Sequence, residues 1–181
     1  MRFCCTPDSR VFVDLRATGV LKALAHSPTL VAKPEPFEVV ADGDRFESSI
    51  EVIVHASAIE PPADLSSKDR DKLRENLLGP QVLDAQRFPV LVFHGIFAGS
   101  VAGGTLGGTL EVRGEARSVS IAVRVARRDD VVTATGAWEG RLTELGVTPF
   151  KALLGAIRLE DWIRIRLDAR FVDAGQGAGR G

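Results

Sequence analysis

Ile163-Arg164-Ile165-Arg166-Leu167-Asp168-Ala169-Arg170-Phe171 alternates without a break between apolar and charged side chains. In an extended chain, successive side chains point to opposite faces. The isoleucines, Leu167, Ala169 and Phe171 therefore share one face, and the arginines and Asp168 the other. A strand with one apolar and one wet face belongs to an antiparallel sheet, because parallel sheets are covered on both sides.

Working outward from this segment, the same period of two recurs along the chain. It appears in Val11-Phe12-Val13-Asp14-Leu15 and in Ile50 to Ala56, where Ile50, Val52, Val54 and Ala56 fall together. Val119, Ile121, Val123 and Val125 face one way, with Ser118, Ser120 and Arg124 opposite. Turn-forming residues separate the runs at 41–44, Arg113-Gly114-Glu115, Arg128-Asp129-Asp130 and Glu139-Gly140. Short strands at such regular spacing predict a sandwich or a barrel, and about eight candidates suit a small closed barrel.

The main exception is the charged segment from Lys68 to Leu78, which reads as a helix. Ser66 and Ser67 open it and Gly79-Pro80 stops it. The chain then passes through Phe88-Pro89 into the strand Val90-Leu91-Val92-Phe93. A shorter helical turn is predicted at Pro149 to Leu154, with Pro149 at its first position. The expected organisation is one domain over residues 1–172, followed by a flexible tail over 173–181 that is too rich in glycine to order itself.

Composition narrows the function. The chain has 181 residues, 45 % of them apolar, and a net charge of −1, which offers no electrostatic footprint for nucleic acid. No window reaches the roughly 18 apolar residues of a transmembrane helix. The segment after Met1-Arg2 has no apolar run of the signal-peptide type, so a cytoplasmic location is expected unless such a segment has been removed. Cys4 and Cys5 are adjacent and poorly placed to bridge each other; they are expected as free thiols on a frayed end.

Candidates for chemistry are sparse. His26, His55 and His94 match no short metal-ligand spacing, and the last two stand out of phase with their apolar neighbours. The run Gly103 to Gly108 has the look of a phosphate loop, but a strand pattern follows it and no Gly-Lys-Ser/Thr is present. Asp69, Asp71, Glu75 and Asp84 read as solvated charges on the helix and its exit. No catalytic residue, metal site or cofactor is assigned. What remains is apolar volume. Inward faces would gather Val52, Val54, Leu91, Phe93, Leu110, Val112, Ile121, Val123, Ile163, Ile165 and Leu167. Periodicity alone leaves open whether they fill a solid core or line a pocket.

The order of motifs resembles the YceI-like family of lipocalin-like barrels. The shared features run from Leu73-Arg74 through Val82-Leu83-Asp84, Arg87-Phe88-Pro89 and Leu91-Val92-Phe93. They continue with Gly108 to Gly114, Leu142 to Pro149 and Gly155 to Ile165; together they span about 45–171, with a looser match at Ala25-His26-Ser27. The resemblance implies an all-β, eight-stranded antiparallel barrel with one inserted helix near its mouth. It also implies an apolar tunnel that holds a polyisoprenoid, a quinone tail or a fatty-acid-like amphiphile, with homodimers common among members. On that basis Val52, Val54, Leu91, Phe93, Leu110, Ile121, Val123, Ile163, Ile165 and Leu167 are the expected ligand-binding residues. The expected function is non-enzymatic binding, storage or transport of such a ligand. Two rivals stand beside it: an enzyme acting on a small amphiphile through a pocket histidine, and a ligand-free module that dimerises. Glu144 stands where the family often has aspartate, and the aromatic content of only 6 % with no tyrosine predicts a largely aliphatic grip.

Overall fold

The computed structural model describes residues 1–19, 28–41, 45–149, 151–152 and 157–174. Among the described residues, eleven strands form one sheet: β1 (Arg2–Cys5), β2 (Arg10–Gly19), β3 (Thr29–Ala32), β4 (Glu38–Val40), β5 (Arg45–His55), β6 (Val90–Ser100), β7 (Gly103–Val112), β8 (Glu115–Arg128), β9 (Val131–Gly140), β10 (Lys151–Ala152) and β11 (Ile157–Asp173). A single α-helix among the described residues, α1 (Ser67–Leu78), sits between β5 and β6. Eight strands follow one path, β3-β2-β11-β9-β8-β7-β6-β5, and every pairing along it is antiparallel. The short strands extend it: β1 continues along β11 beyond β2, and β4 lies against β1.

The sheet curls until its ends meet, and the seam is laced by isolated bonds. Val31 and Glu60 exchange backbone hydrogen bonds of 2.9 and 2.8 Å. The Glu35 N–H donates to the Ile53 carbonyl at 2.8 Å, and the Val40 N–H donates to Ser48 Oγ at 3.1 Å. This is the eight-stranded antiparallel barrel, with one inserted helix near its mouth.

The alternation of Ile163 to Phe171 becomes the second half of β11, the longest strand. It pairs β9 on one side and β2, then β1, on the other. Its outward Arg166 forms two hydrogen bonds to Asp14 on β2, at 2.6 and 2.9 Å, and Thr29 Oγ1 donates to the same carboxylate at 2.7 Å. The bonds from Arg166 hold the Asp14 carboxyl below the ordinary aspartate range. The β7–β8 hairpin turns through Arg113 and Gly114, both at positive φ (55° and 74°), as a tight two-residue connection requires.

Helix α1 has the predicted place, starting one residue earlier. Ser66 Oγ accepts the Asp69 N–H at 3.2 Å as an N-cap, and the Gly79 N–H closes the last turn on Glu75 and Asn76.

Four expectations need correction. The N-terminus is not frayed: Arg2–Cys5 is a strand between β4 and β11, Cys5 is buried, and both thiols are free. Too few residues lie there to display a period. The helical turn expected at Pro149 to Leu154 is replaced at Lys151–Ala152 by a strand that pairs with β11; Phe150, Leu153 and Leu154 lie outside the described residues. Glu139-Gly140 is no turn but the end of β9, paired with β11. Asp84 is buried rather than solvated; it stands at positive φ in the turn after α1, paired with Arg87 at 3.3 Å. The residues 42–44 expected as a turn lie outside the described residues; of the tail expected from 173, Asp173 ends β11 paired with Phe3, the Ala174 N–H donates to the Arg2 carbonyl at 2.9 Å, and 175 onward lies outside the described residues.

Candidate ligand-binding cavity

The interior of the barrel is not filled. Two clusters of buried side chains occupy its two ends. One gathers Phe3, Val39, Ile50, Phe97, Leu106, Val119 and Phe171 from β1, β4 to β8 and β11. The other gathers Leu15, Leu30, Leu77, Leu83, Val112, Leu145 and Ile163, including residues of α1 and of the segments flanking it. Between and along them runs a cavity of about 560 Å³ whose wall contains members of both clusters.

Every one of the ten sequence-derived candidates lies on this wall: Val52, Val54, Leu91, Phe93, Leu110, Ile121, Val123, Ile163, Ile165 and Leu167. Their burial separates them. Ile121, Val123 and Ile163 are buried, whereas the other seven are only half-buried although they point inward. An inward aliphatic side chain in a close-packed core would be fully covered. Half-burial on that face is the mark of a void beside it.

The two ends of the cavity differ in chemistry. Far from α1, Phe3, Phe37, Phe97 and Phe171 contribute to the wall, and the rings of Phe37 and Phe171 meet edge to face at 5.6 Å. Leu110 and Trp138 pack against both clusters and mark a waist between the ends. At the other end α1 presents Leu73 and Leu77, with Leu65 just before its N-cap Ser66. It also contributes Asp69, Lys72 and Asn76, the only charged or amide side chains on the wall among the described residues. Positions 69, 72, 73, 76 and 77 fall on one helical face by their spacing of three and four. Asp69, Lys72 and Asn76 are exposed, so the cavity meets solvent beside this face.

Trp138, Phe37 and the α1 residues are wall positions that the sequence reading missed. For α1 a signal existed in the Leu73–Leu77 spacing, but it is faint within a charged helix.

Glycines let the wall pack from strand to strand. Gly95 and Gly108 oppose each other on β6 and β7, and a side chain at Gly95 would collide with the ring of Phe93 at 2.5 Å. The glycine-rich run from Gly103 to Gly108 is thus part of a strand and holds no phosphate-loop geometry.

The described histidines stand on the outer surface. His55 Nε2 lies 2.6 Å from Glu35 and His94 Nδ1 3.1 Å from Glu51, all four side chains being about half exposed. Each has a carboxylate partner, but neither belongs to the cavity wall; His26 lies outside the described residues. Among the described residues no group of three or more His, Cys, Asp and Glu is placed to hold a metal ion, and no helix is long and apolar enough to cross a membrane. Burial raises the Cys5 thiol above its ordinary pKa, which leaves it a poor nucleophile.

Comparison with known proteins agrees with this geometry. The chain is similar in structure to BcnA of Burkholderia cenocepacia, with a TM-score of 0.66 at 15 % identity over 90 % of this chain and 95 % of that one. It is also similar to the YCEI protein of Campylobacter jejuni, with a TM-score of 0.55 at 10 % identity over 87 % and 84 % of the two chains. At such identities the likeness speaks for the fold alone. No curated protein sequence matches the chain. The sequence model of the YceI-like domain matches residues 25–171, nearly the whole barrel, and the chain therefore belongs to the YceI-like family.

Proposed function

We propose that this protein binds a long-chain apolar or amphiphilic ligand non-covalently inside the barrel, and stores or carries it. The observation that carries the reading is the apolar cavity of about 560 Å³, walled by half-buried aliphatic side chains. A pocket of this size falls within the range of small-molecule sites, and its wall offers almost nothing to hydrogen-bond. Each methylene transferred from water to such a wall contributes about 0.8 kcal/mol. A long hydrocarbon chain would thus be held by its length, without a strong polar anchor. Family membership supports the same reading.

The test is native mass spectrometry of the protein purified without detergent, with solvent extraction of whatever accompanies it. A mass increment matching an isoprenoid or acyl chain is expected. A protein that carries no lipid and takes up none from added C18 or C20 amphiphiles would overturn the reading.

A further inference from the structure

We infer that the ligand is a single-chain amphiphile of about twenty carbons with an anionic head group, held head-outward at the Lys72 and Asn76 face of α1. The inference rests on the cavity being a ligand site and deepens that reading.

Direction comes from the distribution of polarity. The strand-borne wall is apolar, and the end away from α1 is lined by phenylalanines. Among the described residues, the wall's charged and amide side chains all lie on α1, where the cavity meets solvent. A head group placed at the phenylalanine end would be stripped of water without a partner, which disfavours that orientation. At the α1 end it keeps its water and gains donors.

Charge comes from which of the three polar side chains are uncommitted. Asp69 Oδ2 accepts the Ser66 hydroxyl at 2.6 Å, within the helix cap. The neighbouring Arg70 guanidinium donates to the carbonyls of Ala63 and Leu65. Lys72 and Asn76, at i and i+4 on one face, make no side-chain hydrogen bond or ion pair among the described residues. They offer an ammonium and an amide N–H₂ side by side. A carboxylate or a phosphate monoester can accept from both and adds its own opposite charge to the Lys72 contact, which a neutral alcohol or quinone does not.

Length comes from volume. At roughly 30 Å³ for a water-sized group, about 560 Å³ holds on the order of twenty such groups.

The experiment compares oleate with oleyl alcohol, and geranylgeranyl monophosphate with geranylgeraniol, by displacement of a fluorescent apolar probe below micellar concentrations. The wild-type chain is measured beside Lys72→Gln and Lys68→Gln; Lys68 lies on α1 but off the wall. Expected are a preference for the anion on the order of tenfold in at least one pair, its loss in Lys72→Gln, and its retention in Lys68→Gln. The pair with the larger preference identifies a carboxylate or a phosphate as the head group. Equal binding of anion and alcohol by the wild type, or a preference that survives Lys72→Gln, overturns the head-group assignment and leaves the cavity reading intact. Binding of none of the four overturns both.

Discussion

At the scale of single residues, the cavity depends on where side chains are missing as much as on where they are present. Gly95 has no room for a Cβ: one placed there would lie 2.5 Å from the Phe93 ring and 2.7 Å from the Gly107 carbonyl. Gly107, on the facing strand, has nothing within 4 Å of the corresponding position. The two glycines thus predict opposite outcomes for one substitution. Gly95→Ala should destabilise the barrel by about 1–3 kcal/mol, because the ring or the strand must shift. Gly107→Ala should be neutral, or stabilise by about 0.5 kcal/mol through the unfolded chain. Urea unfolding of both variants checks this, and equal costs would refute the idea that ring packing at Phe93 governs the site. The ten wall residues were legible because an inward position in a strand repeats every two residues, as Ile163, Ile165 and Leu167 do. Trp138 was not legible: it stands in a run of glycine, alanine and threonine that gives no face away, and only its neighbours on β8 and β11 define the inside.

At the scale of elements, α1 carries an unusual load for a helix with so little apolar surface. Its buried residue is Leu77, and Leu73 and Leu78 are only partly covered. A helix of 12 residues is marginal without packing, so its ends matter more than usual. The Ser66 cap binds the Asp69 N–H and the Asp69 carboxylate at once. Ser66→Ala should therefore cost about 1 kcal/mol. Hydrogen exchange should speed up over 67–78 while β6 to β9 stay protected; uniform loss of protection would mean that the helix is not a separate cooperative unit. The helix could be read from its caps and its stop at Gly79-Pro80, because those signals are local. β1, β4 and β10 could not. Strands of two to four residues have no period to display, and they exist here because β11 and one another supply their hydrogen bonds.

At the scale of the whole molecule, the question is whether the interior works as one continuous site. Alternation tells which residues face inward, but the space left between facing walls is set by how many strands close the ring and how they tilt. That is why periodicity alone could not separate a solid core from a pocket, and why the half-burial of Val52, Leu91 and Leu167 decides between them. Leu110 and Trp138 lie where both clusters meet, so a chain that reaches from α1 to the phenylalanine end must pass them. Leu110→Trp places a larger ring at this waist. The void can absorb it, so the thermal midpoint should stay near that of the wild type, unlike the overpacking of a filled core. Binding should then depend on length. A C8 or C10 chain, which needs only the α1 half, should bind as before. A C18 chain that loses contact for about four methylenes forfeits about 3 kcal/mol, or roughly a hundredfold in affinity. Titration of both chain lengths against both proteins measures this directly. Wild-type affinity of Leu110→Trp for the C18 chain would mean that the ligand never crosses the waist, and that the two halves of the barrel are separate compartments.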